Sequence, residues 1–296
     1  MFKEGLAGGL AVAAVTAAVG GGMLLLLKRS RAWWRKRYRE PFHEGILRPP
    51  GWGCLERRQD ALFDAASLVG ALPVFWAGLA YVAITSSWTT VVGAALAGVP
   101  WSAIGLRHLT RSYETARTSR LGFLGECAVA EALVPLLAKG WRVFHDIPME
   151  VEERKFNIDH VAVGPGGVWA IETKSFSKAQ WVKKDKDSLR VEGEVVVLPD
   201  GRRSHALKQA NGFARALQMR CNEAGAPVRF VEPLVVLPGW KVNYPRGASH
   251  QIRDPRNVVA FLESREPVMD GAAIDKVAAK LEEWCRVLRF EGEDAS

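Results

Sequence analysis

Three long apolar stretches fill most of the first 106 residues of this chain. Residues 5–27 contain no charged side chain, and two further stretches run from about Leu62 to Ile84 and from about Trp88 to Leu106. A helix of about 20 apolar residues is long enough to cross a hydrocarbon core of about 30 Å. The sequence therefore predicts an N-terminal membrane anchor followed by a tight transmembrane hairpin.

Alternatives remain open for both features. A cleaved signal peptide would end at an A-x-A-like site. Residues 5–27 are instead followed directly by Lys28-Arg29, which favours a retained anchor. Pro73 and Pro100 leave open a re-entrant or interfacial helix pair instead of a transmembrane hairpin.

Basic residues indicate how these segments are oriented. Residues 28–60 contain ten Lys and Arg, residues 85–87 contain none, and four Arg follow between positions 107 and 120. Because basic loops stay on the cytoplasmic side, the pattern predicts three crossings of the cell membrane with the N-terminus outside. The predicted parts are an anchor (1–27), a basic cytoplasmic loop (28–60), a transmembrane hairpin (61–106) and a cytoplasmic domain (107–296).

The net charge of +8 is concentrated near these segments. Residues 107–296 contain 29 basic against 26 acidic residues, so the basic pI is weak evidence for nucleic acid. The excess in residues 1–106 predicts contact with membrane lipid instead. The four cysteines form no CxxC pair, which argues against a zinc site or a disulfide framework and favours reduced core residues.

The second part of the chain alternates helix and strand patterns. Helices are predicted at 119–138, with Ser119 as cap and Gly140 as stop, at 205–223 and at 270–289. Strands are predicted near 141–146, 157–163, 168–173 and 228–237, with a hairpin at 189–198. This order predicts an α/β domain with a mixed sheet between helices.

The most informative stretch runs from Asn157 to Lys174. If Gly164–Gly167 is a four-residue hairpin loop, Val163 faces Val168 and Asp159 lies opposite Glu172. Two opposed carboxylates repel each other, and a divalent cation such as Mg²⁺ would remove the conflict. Lys174 shares the face of Glu172 because side chains alternate along a strand. The pattern thus predicts a metal-assisted hydrolytic site.

Glu126 extends this prediction. On the helix predicted for 119–138 it shares a stripe with Gly122, Val129 and Leu133, so it should face inward. A buried carboxylate needs a cation or strong donors. Glu126 could be a third metal ligand, or it could form a salt bridge to Lys174 or to a nearby Arg.

Several neighbouring polar residues have ordinary interpretations. His160 should lie on the other sheet face beside Trp169 and Ile171, which favours a hydrogen-bonded core histidine over a catalytic base. Asp146 and the acids at 150, 152 and 153 are typical of solvated loop charges. Lys183, Lys184 and Lys186 could contact phosphates or line a solvated surface, and Trp181 could stack on a base or cover a core edge.

The ordered set resembles a known family. Gly122-x-x-Gly-Glu126, Asn157-Ile-Asp-His160, the glycine hairpin and Ile171-Glu-Thr-Lys174 resemble the nuclease-related domain (NERD), which is grouped with the PD-(D/E)XK nucleases. The resemblance spans about residues 115–240 and implies a restriction-endonuclease-like core. It also implies roles: Asp159 and Glu172 as metal ligands, Lys174 as catalytic lysine, Glu126 as accessory carboxylate and Gln209 as an orienting residue.

Two functions follow as expectations. The first is a membrane-anchored nuclease that uses Mg²⁺ or Mn²⁺ to hydrolyse phosphodiester bonds, with DNA as the expected substrate. The alternative is a catalytically inactive membrane adaptor that uses the nuclease fold to bind nucleic acid or a protein partner. Cleavage by the wild-type protein separates the two.

Overall fold

The structure is a computed structural model that describes residues 46–85, 88–178, 188–243 and 249–286, with isolated positions 22, 26, 29, 30 and 33. The predicted anchor at 5–27 therefore lies outside the described residues, apart from two positions. Trp181 and the three lysines at 183, 184 and 186 also lie outside them. The chain divides into two compact units, Met1–Pro41 with Glu56–Thr118, and Phe42–Leu55 with Ser119–Ser296.

Two long helices dominate the first unit. Helix α1 covers Trp52–Thr85 and helix α2 covers Trp88–Leu133. Two helical segments are long and apolar enough to cross a membrane: Trp52–Tyr81 in α1, and Val91–Lys139, which starts in α2 and continues beyond its end at Leu133. By length and composition alone this is weak evidence for two crossings. Both helices continue through their prolines, Pro73 and Pro100.

Within that unit α1 and α2 pack through small residues. A Cβ added to Gly98 would lie 2.9 Å from Leu79 and 3.2 Å from Phe75, so the glycine allows close approach. Trp76 also donates from its indole nitrogen to the Ser102 hydroxyl at 3.0 Å. Small residues of this kind are typical of helix contacts in membranes.

The helices are longer than the sequence predicted. Helix α1 begins at Trp52, so the last part of the predicted basic loop is helical. Helix α2 passes through Ser119, which is buried inside the helix, so the prediction of Ser119 as a helix cap is wrong. No glycine or proline interrupts the chain between Leu106 and Ser119, and the helical pattern simply continues. Gly140 is confirmed as the stop: it has φ 80° and follows a 3₁₀ helix, Val134–Lys139, that contains Pro135.

A five-stranded mixed sheet forms the centre of the second unit. Its order is β1-β2-β3-β7-β9, where the strands are β1 Arg142–Val151, β2 Arg154–Gly164, β3 Gly167–Thr173, β7 Val231–Val236 and β9 Ile252–Arg253. β1, β2 and β3 pair antiparallel, whereas β3–β7 and β7–β9 are parallel. The predicted mixed sheet is confirmed.

Helices cover both faces of this sheet. Helices α3 (Ala206–Glu223) and α5 (Gly271–Cys285) contribute Leu217 and Leu281 to one buried cluster with Val161. The end of α2 and helix α4 (Pro255–Glu263) contribute Leu133 and Leu262 to a second cluster that contains Ile171. The helices predicted at 205–223 and 270–289 are thus present within the described residues, the latter ending at Cys285.

A second, four-stranded sheet was not predicted from the sequence. Its order is β6-β5-β4-β8, with strands β4 Ser188–Glu192, β5 Val195–Val197, β6 Arg203–Ser204 and β8 Lys241–Asn243. The hairpin expected at 189–198 supplies β4 and β5. Strands β6 and β8 have only two and three residues, too few for a periodic signal.

The β2–β3 hairpin has the predicted register with a shorter loop. Val163 pairs with Val168, and Gly164 pairs with Gly167, so only two residues form the loop. Gly167 has φ 105°, a conformation that favours glycine. A Cβ on Gly164 would lie 2.1 Å from the Trp141 ring. This glycine therefore allows the hairpin to pack against Trp141.

Candidate active site

The backbone pairing of β2 with β3 stops one position before the predicted acidic pair, Asp159 and Glu172. The last pair of the ladder is His160 with Ile171, so the next position in the same register brings Asp159 to Glu172. There the Thr173 backbone N–H donates to Asp159 Oδ2 at 2.7 Å. The Lys174 N–H donates to the Val236 carbonyl at 3.0 Å. A carboxylate thus takes the place of a backbone partner at the point where β3 leaves β2 and follows β7.

Lys174 and Glu172 form an ion pair at this point. The distance from Lys174 Nζ to Glu172 Oε1 is 2.6 Å. Glu172 is only 3% exposed, and its second oxygen, Oε2, has no hydrogen-bond partner among the described residues. The Ser175 hydroxyl, which would lie 1.7 Å from a Cβ on Gly125, is also buried without a partner there. Buried polar atoms are rarely left unpaired, so these two indicate a place for a ligand or water.

Glu126 reaches the same region from helix α2. It is 6% exposed and accepts a hydrogen bond from the Cys54 thiol at 3.1 Å. Its negative charge also raises the pKa of Asp159. The predicted inward orientation of Glu126 is confirmed. A Cβ on Gly122, one turn earlier, would lie 2.8 Å from Cys54 Sγ, which explains the glycine in this motif.

Burial and mutual repulsion make the carboxylates costly to ionise. Loss of solvation raises the pKa of Asp159 well above its usual value, and the charges of Glu172 and Glu126 raise it further. Burial also raises the pKa of Glu172, although the Lys174 ammonium opposes this. Strongly perturbed carboxyl groups of this kind are typical of functional sites. A cation placed between them would favour their ionised forms.

The donor set fits a hard divalent cation. Mg²⁺ prefers oxygen ligands and is usually held by one or two carboxylates together with several water molecules. Asp159 and Glu172 supply that number, and the unpartnered Oε2 of Glu172 is a free donor. Within the parts of the chain that the structure describes, no group of three His, Cys, Asp or Glu is arranged to hold a metal. Glu126 as a third ligand therefore stays a prediction.

Gln209 lies on helix α3, and the structure describes no hydrogen bond between it and Asp159, Glu172 or Lys174. It is exposed near the start of helix α3, which packs on β3 and β7. Its predicted orienting role stays a prediction.

Sequence reasoning missed Asp146. Its prediction as a solvated charge is wrong, because the side chain is 3% exposed and forms an ion pair with Arg48 at 2.8 Å. Asp146 Oδ1 also accepts a hydrogen bond from Asn157 at 3.0 Å. A positive φ of 50° at Asp146 interrupts β1 next to Asp159. An isolated acid in a sequence gives no signal for this role, since its partner Arg48 is 98 positions away.

Behind the carboxylates, His160 joins a buried hydrogen-bond chain. It is fully buried, with its Nδ1 2.8 Å from Nδ1 of His145 and its Nε2 3.2 Å from the Thr173 hydroxyl. Burial lowers the pKa of His160 and lowers that of His145 to about 4. Both rings are therefore neutral at pH 7. The predicted core histidine is confirmed, and it supports the residue that donates to Asp159.

Part of the chain matches the model of a known protein family. The family model described as NERD, nuclease-related domain, matches residues 121–238, a range that contains Glu126, Asp159, Glu172, Lys174 and Gln209. No curated protein and no solved structure matches the chain.

Proposed function

We propose, from the premise that residues 121–238 are a nuclease-related domain, that this protein is a divalent-metal-dependent nuclease. The observation that carries the proposal is the arrangement of Asp159, Glu172 and Lys174 at the end of the β2–β3 ladder, with Glu172 Oε2 buried and unpartnered. The match suggests nucleic-acid binding in general. We propose DNA as the substrate.

The chain's own residues have distinct roles in this proposal. Asp159 and Glu172 would hold Mg²⁺ or Mn²⁺, with Glu126 as an accessory carboxylate. The bound metal would supply Lewis acidity to the phosphate and make a water molecule more acidic. Lys174, kept in place by its 2.6 Å ion pair, would orient the attacking water or offset negative charge in the transition state. The Thr173 N–H fixes the Asp159 carboxylate.

We also propose that the protein is a three-pass membrane protein with the N-terminus outside and the nuclease unit in the cytoplasm. Two candidate membrane helices and the exposed apolar side chains on them, such as Leu96, Trp101 and Ile104, support this. The distribution of basic residues gives the orientation. A protease added outside intact cells should leave residues 107–296 uncut, and cleavage there would contradict the proposed topology.

The full-length chain in detergent is the appropriate test material, because the second unit includes residues before the membrane helices. It should cut linear DNA with Mg²⁺ or Mn²⁺, and a chelator should stop the reaction. Glu172→Gln should abolish cleavage, since the amide carries no charge for the metal. Glu150→Gln, at an exposed position on β1, is the matched control and should remain active.

The same assay distinguishes the inactive adaptor. An adaptor would bind nucleic acid in a salt-dependent manner and leave it intact at every metal concentration. Binding without cleavage by the wild-type chain would therefore reject the nuclease proposal.

A further inference from the structure

Residues 46–55, which end in the first turn of helix α1, belong to the second unit and contact other parts of it. The Arg48 N–H donates to the carbonyl of Cys285 at 3.1 Å, and its guanidinium pairs with Asp146 at 2.8 Å. The Gly53 N–H donates to the other oxygen of Asp146 at 3.2 Å. This segment lies outside the matched range of 121–238. It is therefore an addition that the domain match does not explain.

The contacts of this segment require glycines on both sides. Gly51 has φ 76°, and a Cβ there would lie 2.7 Å from the Phe123 ring. A Cβ on Gly53 would lie 2.9 Å from Asn157 Nδ2 and 3.2 Å from Asp146 Oδ1. On helix α2, Gly122 leaves room for the Cys54 sulfur. These close approaches fix where the segment can lie.

Two of its contacts lead directly to the candidate active site. Cys54 donates its thiol hydrogen bond to Glu126, whose charge acts on Asp159. Arg48 and Gly53 hold Asp146, which lies across β1–β2 from Asp159, since the flanking pairs are His145 with His160 and Ile147 with Ile158. The segment therefore acts on both neighbours of the central carboxylate.

We propose that residues 46–55 are a positioning element of the metal site, with Cys54 orienting Glu126 and Arg48 orienting Asp146. The proposal rests on the proposed nuclease function, because it assumes that Asp159 and Glu172 hold a cation and that Glu126 is an accessory carboxylate. Arg48 neutralises a buried carboxylate that would otherwise add negative charge beside Asp159. Partners that orient a site's carboxylates typically change metal affinity about 10- to 100-fold when removed.

The first test measures Mn²⁺ binding to the full-length protein in detergent, by electron paramagnetic resonance of the free ion. Cys54→Ala should weaken Mn²⁺ binding about 10-fold, whereas Cys54→Ser, which retains a donor to Glu126, should stay close to wild type. Arg48→Ala should weaken binding similarly, and Arg48→Lys should restore part of it. A purely structural role would make thermal stability fall without separating the serine variant from the alanine variant.

The second test measures whether residues 46–55 stay packed against the rest of the unit, and its readout depends on neither metal binding nor activity. Cys54 is buried, so an alkylating reagent should modify it slowly in the wild type, and peptide mass spectrometry identifies the site. Gly53→Ala should make Cys54 reactive, while the fully buried Cys221, which does not contact this segment, stays protected. Gly70→Ala is the matched control on the same helix, since a Cβ there meets nothing within 4 Å. By linkage, Mn²⁺ should slow Cys54 alkylation in the wild type.

These results separate the two proposals. If Gly53→Ala exposes Cys54 while Mn²⁺ affinity is unchanged, or if Cys54→Ala binds Mn²⁺ as well as Cys54→Ser, the positioning role is wrong and the nuclease function is unaffected. If the wild type binds Mn²⁺ but cuts no nucleic acid, the nuclease function is wrong, and the Mn²⁺ measurements alone decide the positioning role. If the wild type binds no Mn²⁺, both proposals are rejected.

Discussion

Replacing Lys174 by methionine should lower metal-dependent cleavage by about 10²- to 10³-fold, the usual effect of removing a preorganised charge from a transition state. The methionine has a similar length but no charge, so Glu172 loses its ion pair with Lys174. Because Lys174 lowers the pKa of Glu172, that pKa should rise further in the variant. Residual activity should then require a higher pH, at which Glu172 is again ionised.

Initial rates of DNA cleavage across a pH series measure both effects. Lys276→Met is the matched control, since Lys276 is exposed on helix α5. A Lys174→Met protein that retained wild-type rates and an unchanged pH profile would remove this lysine from the mechanism.

Replacing Asp159 by asparagine should abolish cleavage and at the same time make the metal-free protein more stable. The asparagine can still accept the hydrogen bond from the Thr173 N–H, but it removes the repulsion from Glu172 and Glu126 that raises the pKa of Asp159. Removing charge repulsion of this kind at a functional site commonly adds about 1 kcal/mol to the free energy of unfolding. Mg²⁺ should stabilise the wild type and have little effect on the variant.

The pH dependence of this stability has a defined sign. Because the folded pKa of Asp159 lies above its unfolded value of 3.8, its contribution is fully present below that value and is lost as pH rises through the folded pKa. The Asp159→Asn protein should therefore lose less stability than the wild type as pH rises from about 4 to neutrality, measured by chelator-treated thermal unfolding. Asp275→Asn, whose side chain is 72% exposed, is the control. A metal-free Asp159→Asn protein that is markedly less stable than the wild type would instead indicate a structural aspartate.

The arrangement of Asp159, Glu172 and Lys174 could be predicted because the three residues are close together in sequence, within one hairpin. The β2–β3 hairpin fixes the register between Asp159 and Glu172 within 18 residues, and alternation places Lys174 beside Glu172. The contacts of residues 46–55 could not be predicted in this way. Arg48 and Asp146 form their ion pair across 98 positions of sequence, and neither lies in a periodic pattern.

The predicted start of the helix at Ser119 was wrong for a related reason. Ser119 is a common helix-capping residue, but a cap forms only where the preceding chain leaves the helical conformation. Helix α2 begins at Trp88, so the chain before Ser119 is already helical and Ser119 lies within the helix. The short strands β6 and β8 depend on their neighbours in the second sheet, and their own sequences are too short to indicate a strand.

The division of the second unit between residues before Glu56 and residues after Thr118 has a consequence for biosynthesis. A ribosome completes residues 46–55 early, but their binding surface on β1, β2 and α5 emerges only after both long helices have been synthesised. The unit therefore closes only after the intervening residues 56–118 have been synthesised. A truncated chain that starts after these helices lacks Arg48 and Cys54, so on the proposals above it should bind Mn²⁺ weakly and cut little nucleic acid.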